Sequence, residues 1–186
     1  MDFNQLLHKR TSVREYSPER VPRDVLDACV EAARLAPSAC NCQPWSFVIA
    51  DDESIKNELA DAAFGGIYSL NAFAKKAPVL VAMITEKSSY VPMMGGVWRG
   101  TQYNLIDIGI AGEHFILKAA EEGLGTCWIG WFNEKQAKKV LGIPKNSKVD
   151  ILISVGYPLT EQVSEKERKT LDEIRKYNRR NQNENF

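Results

Sequence analysis

Hydrophobic positions along the chain follow two periods, one typical of helices and one of buried strands. Between residues 21 and 36 the apolar side chains recur every three or four positions, which predicts a helix with Pro22 in its first turn and Pro37 beyond its end. Similar patterns predict helices over 2–9, 53–64, 67–75, 100–122 and 134–141. Short apolar runs predict strands over 46–50, 77–85, 126–132 and 149–158. The alternation by itself suggests a mixed α/β architecture.

The predicted helix over 100–122 is apolar on most sides. A helix without a broad polar face is buried, either in the core of its own chain or against a partner subunit. Residues 86–98 contain Pro92 and have no clear period, which indicates a loop. Residues 159–186 are charged and polar. We therefore expect a core domain over 1–158 and an extension that is either a loose tail or an arm on another surface.

The charge of the chain is balanced, with 24 basic and 24 acidic residues, so no net charge points to nucleic acid or to an anionic membrane. The first residues lack the apolar segment of a signal peptide, and no later run is long enough to span a bilayer. At 186 residues and 44% hydrophobic, the chain can bury one sizeable core. These features predict a cytoplasmic protein with neither nucleic acid nor a membrane as partner.

Two cysteines one residue apart, Cys40 and Cys42, could indicate a metal or redox site. Zinc needs about four ligands, and the two histidines, His8 and His114, are isolated on helical patterns. A redox pair usually has two residues between its cysteines. Neither kind of site is favoured. The remaining cysteines lie in apolar patterns and are predicted to be buried thiols: Cys29 and Cys127.

Two common enzyme classes lack their signatures in this sequence. No G-x-S-x-G segment indicates a serine hydrolase, and the segment "GLGTCWIG" lacks the dinucleotide-binding and phosphate-loop spacings. The segment "RTSVR" is more informative, because an extended backbone would point Arg10, Ser12 and Arg14 to one side. Two guanidinium groups and a hydroxyl suit a phosphate or another anion. For this segment alone, a solvated basic turn is the alternative.

Four motifs occur in a characteristic order: "RTSVREY", "APSACNCQPWSFV", "AAEEGLGTCWIG" and "KERKTLDEI". Together they resemble the nitroreductase family of flavin-dependent oxidoreductases, in a short form, from about residue 3 to residue 175. The resemblance implies an α+β fold with a mixed, mainly antiparallel sheet flanked by helices. It also implies an intertwined homodimer that binds FMN at the subunit interface, with the extension over 159–186 contacting the partner subunit and the FMN phosphate.

The resemblance further implies how the chain would hold each part of FMN. Arg10 would face the phosphate, and Ser12 the phosphate or the ribityl hydroxyls. Lys166 and Arg168 would complete a basic phosphate clamp. Arg14 would lie beside N1 and O2 of the ring, where a fixed positive charge raises the reduction potential of the flavin.

Other implied contacts come from the middle of the chain. Backbone N–H groups at about Ile129 and Gly130 would point at flavin N5, since a backbone donor does not titrate. Three residues would reach the flavin from the other subunit: Pro37, Ser38 and Asn41. The further cofactor contacts implied by the match are Thr11, Gln43 and Asn71. Cys40 and Cys42 would be bystanders in this loop.

The implied function is an FMN-dependent oxidoreductase that passes hydride from NAD(P)H through flavin N5 to nitroaromatic, quinone or similar small acceptors by a ping-pong mechanism. No protein acid is required, so the polar residues of the long helix are expected to be structural: Asp107, Glu113 and His114. Two alternatives stay open. One is a family member with other chemistry, such as dehalogenation, oxidation or flavin fragmentation. The other is a non-catalytic flavin-binding dimer.

Overall fold

The computed structural model describes residues 1–86, 100–160 and 166–178. Its helices are α1 (Phe3–Lys9), α2 (Arg23–Arg34), α3 (Glu53–Ala63), α4 (Tyr103–Glu121), α5 (Glu134–Val140) and α6 (Leu171–Ile174). Its strands are β1 (Trp45–Ala50), β2 (Val79–Thr85), β3 (Gly125–Ile129) and β4 (Lys148–Gly156). Two further segments, Ala39–Asn41 and Gly66–Lys76, form 3-10 helices.

The four strands form one antiparallel sheet in the order β1–β2–β4–β3, with β1 and β3 at its edges. Trp45 pairs with Thr85, which pairs with Lys148, so β1 begins at the end of the sheet where β2 finishes. Ile129 pairs with Leu152, so β3 runs toward this same end. The antiparallel pairing confirms the α+β fold, which the alternation of helices and strands could not distinguish from α/β because periodicity carries no information on strand order.

Helices cover both faces of the sheet, which buries β2 on both sides. The side chains of Val79, Val81 and Met83 pack with α2 and α4, whereas Leu80 and Ala82 pack with α3 and α5. This division follows from the alternation of side chains along a strand. One face of the long helix α4 is buried against the sheet and against α2. Its apolar composition predicted this burial.

Several element boundaries differ from the prediction. The strand predicted over 126–132 ends at Ile129, and the chain then turns so that the backbone N–H of Asn133 donates to Ala63 O (2.9 Å). The helix predicted over 67–75 is a 3-10 helix with a kink at Asn71. The helix predicted from residue 21 starts at Arg23, because Pro22 has an extended backbone and precedes the first turn.

Two of the predicted segments are described only in part. The predicted loop over 86–98 lies outside the described residues except for Glu86. In the extension, residues 166–178 are described, and the Lys166 ammonium donates to Leu7 O at the end of α1. Among the helices within the described ranges, none is long and apolar enough to cross a membrane.

Candidate functional site

The segment over residues 10–16 lies along the outer edge of β3. The backbone N–H of Val13 donates to Thr126 O (2.9 Å), and Ser12 forms a parallel bridge with Thr126. The buried Tyr16 hydroxyl donates to Val13 O (2.6 Å), and burial raises the pKa of Tyr16, which keeps this donor protonated. These contacts fix the segment in an extended form beside the sheet.

Side chains of this segment alternate between core and surface. Val13 is buried, whereas Ser12 and Arg14 are exposed on the other side of the backbone. Arg10 and Thr11 are half-buried. The alternation agrees with the extended backbone predicted from "RTSVR", so the charged side chains of Arg10 and Arg14 are available to a ligand.

Gly125, the first residue of β3, makes the close approach of this segment possible. A Cβ atom at Gly125 would lie 2.6 Å from Val13 Cγ2 and 2.7 Å from Val13 Cβ, well inside van der Waals contact. Only a residue without a side chain fits at this position. The position of the basic segment therefore depends on a glycine in the sheet.

Arg10 and Arg168 lie close enough to Lys166 to lower its pKa, and we call these three cations the phosphate clamp after the role that the resemblance implies for them. The pKa of Lys166 is lowered, first by burial and then by the positive charges of Arg10 and Arg168, while Glu113 acts in the opposite direction. Like charges held together favour an anionic ligand, and guanidinium and ammonium groups match the oxygens of a phosphate. The charge and donor types of this group fit the phosphate of FMN.

Arg14, Asn71 and Gly130 come together at the end of β3. Asn71 Nδ2 donates to Trp131 O (2.8 Å), which ties the 3-10 helix Gly66–Lys76 to the residue after Gly130. Phe73, in the same 3-10 helix, makes a cation–π contact with Arg14: the guanidinium carbon lies 5.6 Å from the centroid of the ring. Arg14, Asn71 and Gly130 therefore lie around the end of β3, and together with Ser12 they form what we call the β3-edge group.

The two residues predicted to present backbone N–H groups differ in exposure. Ile129 is buried as a whole residue, whereas Gly130 is exposed, so Gly130 is the more accessible of the two to a ligand. The sequence reasoning missed Trp131, whose carbonyl accepts from Asn71 and whose ring lies 5.2 Å from that of Tyr68. An exposed tryptophan directly after the "CWIG" motif was the signal that could have identified it.

The loop over residues 37–43, which we call the β1 loop, has an unusual backbone. Cys40, Asn41 and Gln43 have φ angles of 52°, 54° and 46°, in the left-handed region that side chains other than glycine rarely adopt. The backbone N–H of Gln43 donates to Ser38 Oγ (2.9 Å), which closes the loop on itself. Strained residues of this kind cost about 1–3 kcal/mol each and cluster at functional sites.

A buried carboxyl group on α4 accepts a hydrogen bond from the backbone of the β1 loop. Asp107 is 2% exposed, and its Oδ1 accepts from the backbone N–H of Ala39 (3.1 Å). Further along α4, His114 Nδ1 lies 3.2 Å from Ala32 O in α2. Both contacts join α4 to its neighbours in the fold, which agrees with the structural roles predicted for these side chains.

The β1 loop and the β3-edge group lie at opposite edges of the sheet. Three strand spacings separate β1 from β3, which amounts to about 14 Å. On the β3 side of the sheet the structure shows two groups of predicted site residues: the clamp (Arg10, Lys166 and Arg168) and the β3-edge group (Ser12, Arg14, Asn71 and Gly130). It holds the other predicted set apart from these residues: Pro37, Ser38, Asn41 and Gln43.

Comparison with protein families identifies the fold and its motifs. The model described as "Nitroreductase family" matches residues 7–79, and the one described as "Putative TM nitroreductase" matches residues 67–186. The chain belongs to the nitroreductase family. It is accordingly an oxidoreductase, as the sequence motifs predicted.

Individual relatives of this nitroreductase-family protein carry several names. It is 30% identical over 162 residues to a "Putative NADH dehydrogenase/NAD(P)H nitroreductase" of Archaeoglobus fulgidus, covering 85% of this chain and 86% of that protein. It is 30% identical to iodotyrosine deiodinase 1 of Sus scrofa, covering 93% of this chain and 67% of that protein. A solved FMN-dependent nitroreductase of Clostridium difficile matches with a TM-score of 0.75 and 28% identity, over 94% of this chain and 98% of the other.

The cysteines of this nitroreductase-family protein fall into two groups. Cys29 and Cys127 are buried, as predicted, and burial is the main cause that raises the pKa of Cys29 to about 12 and also raises the pKa of Cys127. Cys40 is exposed and Cys42 is half-buried. Within the part of the chain that the structure describes, no cluster of three or more His, Cys, Asp or Glu side chains could hold a metal ion.

Proposed function

We propose that this protein is an FMN-dependent NAD(P)H oxidoreductase that works as a homodimer. The observation that carries the proposal is the basic cluster of Arg10 with Lys166 and Arg168, at the start of the segment that continues through Ser12 and Arg14 beside β3. When bound, FMN would supply a two-electron carrier between NAD(P)H and a small acceptor. The residues of the chain bind and orient this cofactor and tune its chemistry.

The phosphate clamp would bind the FMN phosphate through charge-assisted hydrogen bonds from Arg10, Lys166 and Arg168. The lowered pKa of Lys166 reflects, after burial, the repulsion within the clamp, and an anionic ligand would relieve that repulsion. Ser12 and Thr11 stand beside Arg10 on the same segment and would contact the phosphate or the ribityl chain. The clamp would therefore favour FMN over a flavin without a phosphate.

Three residues of the β3-edge group would hold the flavin ring: Arg14, Asn71 and Gly130. Arg14 carries a permanent positive charge that would stabilise negative charge developing at N1 and O2. Backbone N–H groups at Ile129 and Gly130 would donate toward N5 without competing for a proton, and Asn71 would contact the ring edge. NAD(P)H and then a planar acceptor such as a quinone or nitroaromatic would stack in turn on the exposed face of the flavin, which gives ping-pong exchange.

The homodimer would bring the β1 loop into the site. Because β1 and β3 lie at opposite edges of the sheet, about 14 Å apart, this loop would not reach the ligand atoms that the β3-edge group of its own chain contacts. In a twofold dimer, Pro37, Ser38, Asn41 and Gln43 of one chain would face the flavin bound mainly by the other. Exposed apolar side chains on α1, α4 and α6 supply a surface for this contact. They are Phe3, Leu7, Leu105, Ile106, Leu171 and Ile174.

The absorption spectrum of the purified protein tests the proposal. We expect a flavin band, either as purified or after FMN is added, that bleaches when NADH or NADPH is added without oxygen and returns with a quinone. A protein that binds FMN but is reduced by neither nucleotide would be a flavin-binding dimer without this activity. A colourless protein that FMN cannot reconstitute would refute the cofactor assignment.

Reductive dehalogenation is a second candidate, favoured by the match to a relative named iodotyrosine deiodinase 1. Both functions would use the same cofactor site and differ in the acceptor. Anaerobic assays of the reduced protein with iodotyrosine, nitrobenzoate and menadione, in parallel, separate them. Release of iodide at a rate comparable to quinone reduction would support dehalogenation, whereas reduction of the quinone and nitro compound alone would exclude it.

A further inference from the structure

We infer that Asp107 is a positioning residue that sets the geometry of the β1 loop and, through it, the affinity for the cofactor. The inference rests on the proposed placement of Ser38 and Asn41 at the flavin of the partner chain. Asp107 itself would contact neither cofactor nor substrate. Its role would be to hold the backbone amide of Ala39 at a fixed place beside α4.

The contact is placed where it controls the loop. Asp107 Oδ1 accepts from the Ala39 N–H (3.1 Å), and Ala39 stands between Ser38 and the left-handed pair Cys40 and Asn41. A single buried acceptor therefore fixes the residue from which the chain enters its strained conformation. Because a left-handed backbone is intrinsically unfavourable for side chains other than glycine, the loop keeps this shape only while surrounding contacts impose it.

The burial of Asp107 strengthens its hydrogen bond to Ala39 and fixes the position of its side chain. Asp107 is 2% exposed on a helix whose neighbouring residues, Ile108 and Ala111, belong to the core. Water therefore competes little for the hydrogen bond that Asp107 accepts, and a hydrogen bond in a low-dielectric interior is stronger than one in water. On the same turn, Leu105 and Ile106 are exposed on the surface proposed for the dimer interface. The packing of α4 at the interface and the shape of the loop thus meet at Asp107.

The test compares two substitutions of Asp107 with a matched control on the same helix. Asp107→Ala removes the acceptor, whereas Asp107→Asn keeps an oxygen that can accept from Ala39. His114→Ala removes another side chain of α4 that contacts a backbone carbonyl, but at Ala32 in α2 rather than in the loop. If Asp107 only stabilised the fold, loop exposure and FMN affinity in all three variants would follow their losses in melting temperature.

The first measurement needs no flavin and reports on the loop alone. In a Cys40→Ser background, the half-buried Cys42 is the thiol of the β1 loop, and Cys29 and Cys127 are buried. The alkylation rate of Cys42 in the apoprotein, followed by mass spectrometry of its peptide, should rise about 3- to 10-fold in Asp107→Ala, as expected for the loss of one hydrogen bond. It should stay within about twofold of the parent in Asp107→Asn and His114→Ala.

The second measurement is the FMN dissociation constant of the apoprotein dimer. Asp107→Ala should raise it about 3- to 10-fold, and Asp107→Asn should restore most of the affinity. If the effect passes through the loop, Asp107→Ala should add little to Asn41→Ala in a double-mutant cycle. Equal Cys42 alkylation in Asp107→Ala and the parent, or full additivity with Asn41→Ala, would overturn the inference. A different outcome is possible: Cys42 alkylation rises in Asp107→Ala, but neither Asp107→Ala nor Asn41→Ala changes the FMN affinity. That outcome would contradict the proposed placement of the loop at the cofactor.

Discussion

Replacing Gly125 with alanine should displace the basic segment from the sheet and weaken cofactor binding. The added Cβ would lie 2.6 Å from Val13 Cγ2, 2.7 Å from Val13 Cβ and 2.8 Å from Val13 Cγ1. A rotamer change of Val13 moves its Cγ atoms but not its Cβ, so the backbone itself must shift. The chain between Arg10 and Arg14 has to move away from β3 by about 0.7 Å to reach a normal contact of 3.4 Å.

The magnitude has two parts. Overpacking a tight contact of this kind costs about 1–3 kcal/mol in the free energy of unfolding, which corresponds to about 2–4 °C in melting temperature for each kcal/mol in a chain of this size. The shift also moves Arg10 and Arg14 relative to Lys166 and Gly130. Charge-assisted hydrogen bonds depend strongly on distance, so we expect the FMN affinity to fall by on the order of 1 kcal/mol, or about fivefold.

Gly112→Ala is the matched control, because the atoms nearest to its added Cβ belong to Trp128 (2.5 Å to Cη2) and Met83 rather than to residues 10–16. Both variants should lose stability in thermal unfolding of the apoprotein. Fluorescence titration with FMN should detect weaker binding only in Gly125→Ala. Adding Val13→Ala to that variant removes both Cγ contacts but leaves the Cβ contact, so it should recover part of the affinity. Wild-type FMN affinity in a destabilised Gly125→Ala protein would refute the reasoning.

Further predictions concern the clamp, the cysteines and the assembly. Arg10→Ala and Arg168→Ala should each weaken FMN binding by about 1.5–3 kcal/mol while leaving riboflavin binding unchanged in parallel fluorescence titrations; equal loss for both flavins would contradict the phosphate assignment. FMN affinity should fall as pH rises through the lowered pKa of Lys166, below the ordinary lysine value of 10.5, since an anionic ligand favours protonated lysine; in Lys166→Arg the titration curve should flatten. Replacing Cys40 and Cys42 with serine should leave FMN content and NAD(P)H oxidation largely intact, and a large loss of turnover with normal flavin content would indicate a thiol role. Added FMN should lower the dimer dissociation constant in sedimentation at decreasing protein concentration, because a ligand that binds only the dimer stabilises it by mass action; a flavin-loaded monomer would contradict this.

Local features of the protein were readable from the sequence alone. The apolar run of β2 and the periodic helix α2 were predicted within about two residues of their ends, because burial requires a repeating pattern of apolar side chains. The alternation of Arg10, Ser12 and Arg14 around the buried Val13 was also predictable, since an extended backbone points successive side chains to opposite sides. Four ordered motifs identified the family, and the comparison with family models confirmed it.

Only the tertiary structure decided which of these residues are neighbours. Strand order places the β1 loop and the β3-edge group at opposite edges of the sheet, and nothing in the periodicity of a strand specifies the strand beside it. The contact between Ala39 and Asp107 joins residues 68 positions apart, and Asn71 reaches Trp131 across 60 positions. Such contacts arise from the packing of the whole chain. A sequence motif determines which chemical groups are present, whereas the fold determines which of them meet.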